Sequence, residues 1–281
     1  MPAGSVSALR PITGPAALSG DFRRFLTLTR RIAVMEFKLR FFGSALGYLW
    51  QLMRPLMLFG VLYVVFTEFV NFGTARFYSV VLLLGIVLFT FLSECVSSSV
   101  SAVVDKENLV RKIHFPRLAI PLSVVLTAVF SLVLNVLVVL GFGVASGVRP
   151  NWGWLQVPLL VGILLVLATG FSMLVSALFV RYRDIRPISD VALQLTFYGS
   201  PILYPLEKLD SSYQELMLLI NPFAVVLQQM RHAMIDPTAP TAATAIGGAP
   251  RLIVPMLTVA AIFALGFYVF NREAPRIAED L

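Results

Sequence analysis

The sequence predicts an all-α integral membrane protein with six transmembrane helices, an amphipathic helix before them and short helices on the outer side. The first reason is composition: the 281 residues are 58% hydrophobic and only 13% charged, whereas soluble domains carry about 25% charged residues. The second reason is length, because several apolar runs could cross ~30 Å of hydrocarbon as helices. These runs do not alternate in polarity, which favours helices over the strands of a barrel.

The N-terminal region is predicted to be a tail followed by a helix at the membrane surface. Residues 1–20 are rich in Pro, Gly, Ser and Ala and contain no apolar signal segment, so we expect a disordered cytoplasmic tail. In residues 21–45 the cations share one arc of a helical wheel, which is typical of an interface helix in the inner headgroup plane. An Arg cluster that only sets the topology is the alternative. The candidate interface residues are Phe22, Arg23, Arg24, Phe25, Arg30, Arg31 and Lys38.

The transmembrane domain is predicted over residues 46–271, with a cytoplasmic tail at 272–281. Its six spans are 55–70, 78–104, 118–145, 156–180, 188–203 and 252–270. The fifth span is short, because prolines follow it closely. Residues 211–235 then hold two helical segments that are too short to cross, and they predict a re-entrant or interfacial hairpin. An ordinary apolar outer loop is the alternative.

The positions of the cations predict the orientation of the spans. Seventeen of the 22 Lys and Arg residues fall in segments that six spans place on one side, and five fall on the other. Because cytoplasmic loops carry the excess of Lys and Arg, both termini are predicted to be cytoplasmic. The net charge of +7 reflects this bias, so it does not imply nucleic-acid binding.

A charged segment, "DKENLVRKIHFPR" at 105–117, interrupts the apolar runs on the cytoplasmic side. Asp105 can cap a short helix, on which Leu109, Val110 and Ile113 share one face, and Pro116 ends it. A short helix with an apolar stripe is suited to docking into a groove of a soluble partner. A simple positively charged loop is the alternative, although that needs no apolar stripe.

Motifs of catalysis and metal binding are missing from the sequence. There is no G-x-x-x-x-G-K-[ST] loop, no H-E-x-x-H, no G-x-S-x-G and no Cys/His cluster. The two histidines, His114 and His232, fall on opposite sides of the membrane in this topology, so they cannot share a metal. We therefore expect no cofactor in this chain and no enzymatic activity of its own.

Three acidic residues lie in or beside the spans and are candidates for function. They are Glu68, Glu94 and Asp190. The neighbouring spans contain no Lys or Arg to pair with them, so no charge relay is expected. Glu94 lies among serines and could face a hydrated cavity or form local hydrogen bonds.

Aromatic residues are numerous, at 12% of the chain. Trp and Tyr near span ends usually form interfacial belts, but aromatic faces can also stack on the apolar faces of sugar rings. Composition leaves both uses open. The candidate channel-lining aromatics are Tyr48, Trp50, Tyr63, Phe66, Phe89, Phe91, Phe197, Tyr198 and Tyr204.

Five stretches together resemble the permease subunit of ABC-2-type polysaccharide exporters, the family that exports O-antigen, teichoic acid and galactan. They are "LGYLWQLMRPLMLFGVLYVVF" (46–66), "NLVRKIHFPRLAIPLSVVL" (108–126), "RYRDIRPI" (181–188), "SPILYP" (200–205) and "NPFAVVLQQMR" (221–231). The resemblance covers residues 30 to 271. One departure lies at 89–91, where many relatives carry a Trp.

The resemblance implies a homodimer that binds two copies of a separate ATPase, which holds ATP and Mg, and moves a lipid-linked polysaccharide outward across the inner or plasma membrane. In this reading, 21–42 is an interface helix and 211–235 is an outer gate that includes Asn221, Pro222 and Arg231. ATPase coupling would involve Asp105, Glu107, Asn108, Leu109, Val110, Arg111, Lys112, Ile113, His114 and Phe115, and then Arg181, Arg183, Asp184 and Arg186.

Other functions remain open from the sequence. An ABC-2 exporter of drugs or lipids would share most of these motifs. An ion-coupled secondary transporter is a further alternative, but it predicts internal repeats and intramembrane charges, whereas the third, fourth and sixth spans carry no charge. A bias of 18 Arg to 4 Lys is typical of a GC-rich genome and makes cell-wall galactan one candidate cargo beside O-antigen.

Overall fold

The computed structural model describes residues 22–41, 47, 49–70, 76–110 and 116–274, and none of these residues lies in a strand. The helices are α1 Phe22–Phe41, α2 Leu49–Val64, α3 Tyr78–Asp105, α4 Glu107–Val110, α5 Ala119–Ala145, α6 Val157–Arg181, α7 Ile185–Tyr198, α8 Ser211–Ile220, α9 Pro222–Met230, α10 Ala242–Ala245 and α11 Ile253–Glu273. The predicted all-α membrane fold is confirmed.

Five of the described helical segments are long and apolar enough to cross a membrane. They are Leu49–Phe69, Tyr78–Asp105, Ala119–Ala145, Trp152–Arg181 and Ala249–Glu273. Where the fifth span is predicted, the structure has α7, whose 14 residues extend about 21 Å at 1.5 Å per residue. The chain then turns at Gly199 and buries Ile202 against Gly85 of α3. The return of this segment into the bundle explains why α7 is short.

Three helices, α3, α5 and α6, form the core of the bundle. The largest apolar cluster joins residues of all three, including Leu84, Leu132 and Leu164. Each helix is apolar over most of its length, so each can be covered by neighbours on several sides. At the N-terminal end of α3 the Tyr78 hydroxyl donates to the Leu203 carbonyl at 2.8 Å, which ties the segment after α7 to this core.

Helices α6 and α11 touch through glycines. A Cβ at Gly266 would lie 2.2 Å from the carbonyl oxygen of Gly170, and a Cβ at Gly170 would lie 2.8 Å from the backbone of Phe263. Small residues let helix backbones approach closely inside a membrane, where packing rather than water exclusion drives association. This contact holds the last span onto the core.

Helix α1 packs on α5 instead of standing apart from the bundle. Phe25 and Ala33 are buried, and Thr127 of α5 donates its hydroxyl to the Ala33 carbonyl at 3.3 Å. Phe37 meets Phe130 edge to face, with ring centroids 5.4 Å apart. One strip of α1 is therefore covered by protein, whereas Leu26, Met35 and Leu39 of the same helix remain exposed. Its exposed cations are Arg23, Arg24, Arg30, Arg31, Lys38 and Arg40.

On the side predicted to be the outer one, α8 and α9 form a short helical hairpin. Helix α9 is almost entirely buried, and Phe223 and Met230 join the main core. Helix α8 is more exposed, with Tyr213, Leu216 and Ile220 on its surface. The hairpin thus has one member inside the bundle and one at its edge.

Candidate functional site

A groove of about 1150 Å³ runs between α2, α3 and α7, and the end of α1 reaches its inner end. We call it the polar groove, because four ionisable side chains line it together with amides, hydroxyls and aromatic rings. The lining residues are Arg40, Trp50, Gln51, Arg54, Pro55, Leu58, Leu62, Phe66, Phe89, Thr90, Ser93, Glu94, Ser97, Ser98, Asp190, Leu193, Gln194, Phe197, Tyr198 and Leu203.

One stripe of α3 gives the groove most of its hydroxyl groups. Its members recur three or four positions apart, so they lie on one face of the helix. They are Thr90, Ser93, Glu94, Ser97 and Ser98. The rest of α3 is apolar and buried against the core. The helix thus presents a hydrogen-bonding surface to the groove and an apolar surface to its neighbours.

Glu94 joins three helices at the inner end of the groove. Arg40 of α1 donates to its Oε1, and Gln51 of α2 donates from Nε2 to its Oε2 at 3.3 Å. The neighbouring predicted spans contain no Lys or Arg to pair with Glu94, and its basic partner comes instead from α1. A second ion pair, between Glu36 and Lys106, connects α1 to the C-terminal end of α3.

Five of the predicted channel aromatics line the groove: Trp50, Phe66, Phe89, Phe197 and Tyr198. The Phe89 and Phe197 rings meet edge to face with centroids 4.8 Å apart, and Phe197 meets Tyr198 at 5.2 Å. Trp50 is 53% exposed, so its ring face is available to a ligand. The groove is polar at its inner end and richer in aromatic rings toward its outer end.

Three other candidates do not line the groove. The prediction that Phe91 lines the channel is wrong, since Phe91 is only 2% exposed and belongs to the core. It lies two positions after Phe89, and this spacing turns its side chain to nearly the opposite face of the helix. Tyr63 lies on α2 and stacks on Phe59. Tyr204 donates to the Tyr198 carbonyl at 3.3 Å, and burial raises the pKa of its phenol, so it remains a neutral donor. Tyr48 lies outside the described residues.

The two walls of the groove are loosely held. Among the residues of α2, Pro55 is the one that is buried, and in α7 the buried residue is Ser189. Both helices expose apolar side chains, including Val61 on α2 and Leu195 on α7. These two helices leave apolar surface uncovered within a single copy of the chain.

The predicted coupling residues lie in two places, the end of α3 with α4 and the junction of α6 and α7. Asp105 ends α3 and accepts a hydrogen bond from Ser101 at 2.8 Å, and α4 follows with Glu107, Asn108, Leu109 and the backbone of Val110. Arg111, Lys112, Ile113, His114 and Phe115 lie outside the described residues.

The second place is the junction of α6 and α7, where the side chains of Arg181, Arg183, Asp184 and Arg186 are exposed. The guanidinium of Arg183 lies 4.9 Å from the centre of the Phe179 ring. This junction leads directly into α7, so a force applied here would reach a wall of the polar groove.

The predicted gate residues connect α7 to the outer hairpin. Asn221 caps α9 by accepting from the Ala224 N–H at 3.2 Å, and its Nδ2 donates to the Ser200 hydroxyl at 2.8 Å. Pro222 occupies the first turn of α9. Arg231 is buried and donates to Glu207 at 2.9 Å. Asn221 therefore ties the end of α7 to the start of α9.

Several lining residues were not named as candidates from the sequence, namely Arg40, Gln51, Arg54 and Gln194. The stripe around Glu94 was anticipated in part, since Glu94 among its serines was expected to face a hydrated cavity or to form local hydrogen bonds. The stripe had a readable signal, since its polar residues repeat at helical spacing within an apolar run. The contribution of Arg40 had none, because it depends on how α1 packs. His232 holds its Nδ1 2.8 Å from the Ala239 carbonyl and does not reach the groove.

Comparison with known proteins gives consistent matches. The family described as ABC-2 type transporter matches residues 27–235. The O-antigen export system permease protein RfbA of Myxococcus xanthus is 29% identical over 229 residues, which cover 81% of this chain and 88% of that protein. Two proteins of the same name from Klebsiella pneumoniae are 24% and 25% identical over 247 residues, 88% of this chain and 92% of each relative. This multi-pass membrane protein belongs to the ABC-2 type transporter family.

Proposed function

We propose that the chain is the membrane subunit of an ATP-driven exporter that moves a lipid-linked polysaccharide, such as cell-wall galactan or O-antigen, out of the cytoplasm. The observation that carries the proposal is the polar groove, which combines aromatic faces with closely spaced hydrogen-bonding groups. The similar proteins are named for O-antigen export, which supports a glycan cargo over a drug.

The chemistry of the groove suits a chain of sugars. A sugar ring has apolar C–H faces that can stack on rings such as Trp50 and Tyr198, and hydroxyls that can bond to Ser, Gln and carboxylate groups. Many weak contacts of similar strength allow a polymer to slide, whereas one tight site would hold it. The groove offers such contacts along its length rather than a single enclosed pocket.

A second copy of the chain would complete the path. The exposed apolar surface of α2 and Tyr198 of α7 border the polar groove on its two sides, so their burial in a homodimer would close the groove into a channel along the dimer axis. This arrangement also accounts for apolar residues such as Val61 of α2 that one copy leaves exposed.

The energy for transport would come from a partner. The sequence has no nucleotide-binding loop, so ATP and Mg would be held by two copies of a separate ATPase on the cytoplasmic side. That subunit would grip the segment from Asp105 to Phe115 and the junction from Arg181 to Arg186, with both termini of this chain in the cytoplasm of the inner or plasma membrane. Helix α3 runs from this contact directly to the polar groove.

Co-purification with the ATPase subunit tests the proposal. Leu109→Asp places a charge on the apolar stripe of α4, whereas Asn271→Asp adds the same charge at an exposed position of α11, outside both segments assigned to the ATPase. We expect the Leu109 variant to lose the ATPase and polysaccharide export, and the Asn271 variant to retain both. Full recovery of the complex and of export with Leu109→Asp would contradict the assignment of this segment.

A further inference from the structure

A second cavity of about 800 Å³ lies on the other side of α7, between that helix and α6, α8 and α11. We call it the apolar groove. It is lined mainly by aliphatic and aromatic side chains, among them Leu167, Phe171, Ile188, Leu195, Leu216 and Ile262, and none of its described lining residues is charged. Its chemistry is therefore opposite to that of the polar groove.

The serine and threonine hydroxyl groups that line the apolar groove are already used. Ser189 donates to the Ile185 carbonyl at 2.7 Å, Thr196 to the Ala192 carbonyl at 2.8 Å and Thr258 to the Val254 carbonyl at 3.0 Å. Each bond turns a polar atom back onto its own helix. A ligand here meets hydrocarbon and methyl groups, so the groove favours a hydrocarbon chain.

The groove is elongated along the membrane normal. Its lining begins with Leu178 and Ile185 at the cytoplasmic end of α7 and continues to Tyr213 and Ile220 of α8 on the outer side. It thus follows the whole length of α7, about 21 Å at 1.5 Å per residue. A long chain can lie in it, whereas a compact apolar molecule would fill only a part.

Only the thickness of α7 separates the two grooves. Asp190, Gln194 and Phe197 face the polar groove, Ala192 and Leu195 face the apolar groove, and Leu193 lines both. An amphiphile that uses both grooves at once needs a polar part and a hydrocarbon part side by side, joined around one end of a short helix.

We propose that the apolar groove binds the hydrocarbon chain of the lipid-linked substrate while its sugars occupy the polar groove. This inference rests on the proposed function. A bilayer phospholipid fits the lining less well, because its phosphate would find no cation among the described residues of the apolar groove. Arg40 and Arg54, by contrast, line the polar groove, on the side where the substrate's head would lie.

Photo-crosslinking in the intact complex with the ATPase tests the site. A benzophenone amino acid replaces Leu216 in the groove or, as a control, Leu137 on α5; the two are 53% and 58% exposed. The complexes are placed in nanodiscs of bilayer phospholipid with a small fraction of a long-chain polyprenyl phosphate. We expect the polyprenyl adduct to dominate at position 216, while adducts at 137 follow the bilayer composition. Adducts at 216 that also follow the bilayer composition, or a crosslink to a second copy, would overturn the proposal.

A pair of bulky substitutions strengthens the test. Ala192→Trp fills the groove, whereas Val191→Trp adds the same ring at a neighbouring exposed position that lines neither groove. We expect at least a several-fold loss of the polyprenyl adduct at 216 with the Ala192 variant and no loss with the Val191 variant; equal adduct yields in the two would overturn the assignment.

Export is measured separately so that the two proposals can fail independently. Polysaccharide export by the wild-type complex without a selective adduct would refute the tail site and leave the proposed function standing. A selective adduct in a complex that exports no polysaccharide would refute the proposed function and leave a lipid site whose cargo differs.

Discussion

The two walls of the polar groove differ sharply in packing from the three helices behind them. In α3, 18 of 28 residues are buried, and in α5 and α6 the buried residues number 13 of 27 and 12 of 25. In α2 and α7, by contrast, the buried residues are Pro55 and Ser189. A close-packed interior resists deformation, whereas elements with few buried contacts move at low cost. The comparison indicates that α3, α5 and α6 form a rigid frame, and that α2 and α7 are walls of the polar groove that can move relative to this frame.

The largest loss of stability is expected when the close contact between α6 and α11 is disturbed. Gly170→Ala places a Cβ 2.8 Å from the backbone of Phe263, so α11 must move away from α6. Gly162→Ala on the same helix meets nothing within 4 Å and gains up to about 1 kcal/mol of helix propensity. We expect Gly170→Ala to lower the thermal unfolding temperature in detergent and Gly162→Ala to leave it unchanged or raise it. Equal stability of the two variants would show that the glycine contact does not hold α11.

Glu94 of α3 bonds to Arg40 of α1 and Gln51 of α2, and so connects the frame to a wall of the polar groove. Loss of these contacts should reduce transport more than it reduces stability. Glu94→Gln removes the charge that pairs with Arg40 while keeping the shape of the side chain. We expect roughly a tenfold loss of export, consistent with a coupling of about 1–2 kcal/mol for residues in direct contact. The exchanged pair, Arg40→Glu with Glu94→Arg, should recover part of the loss. If the exchanged pair exports no more than either single variant does, the ion pair between Arg40 and Glu94 is not required for export.

Substitution of Trp50 tests whether the wall formed by α2 contacts the transported substrate. Trp50→Ala removes an exposed ring from the polar groove, whereas Trp152→Ala removes an 88% exposed ring from the outer end of the fourth span. An aromatic contact adds about 0.5–1.5 kcal/mol beyond its buried area, so we expect export to fall by a few-fold with Trp50→Ala and to remain unchanged with Trp152→Ala. Amounts of folded complex are measured in both. A similar loss in the two variants would favour a general interfacial role for Trp.

The smallest effect is expected from the loss of the Asn221 side chain, which connects the end of α7 to α9 of the outer hairpin. Asn221→Ala removes the cap of α9 and the bond to Ser200, while Asn151→Ala removes a cap that joins no second helix. Each should cost about 1 kcal/mol of stability. Only Asn221→Ala should speed amide hydrogen exchange at residues 196–200. Unchanged exchange there would mean that α7 is held by other contacts.

The sequence predicts the frame better than the walls, for a physical reason. Apolar runs such as 78–104 mark helices well, and α3 begins and ends within one residue of that range. Phe89 and Phe91 lie one position before and after Thr90, about 100° to either side of the polar stripe, so the sequence could not tell which of the two rings faces the groove. The pairing of Glu94 with Arg40 spans 54 positions and depends on α1 docking against α5, which no local pattern encodes.

The short length of α7 has a consequence for the lipid around it. A helix of about 21 Å falls well below a hydrocarbon thickness of ~30 Å, and such hydrophobic mismatch is relieved by local thinning of the bilayer. We therefore expect the bilayer to be thinner beside α7 than beside the longer helices of the bundle. A thinner hydrocarbon layer presents a smaller barrier to a phosphate that crosses it.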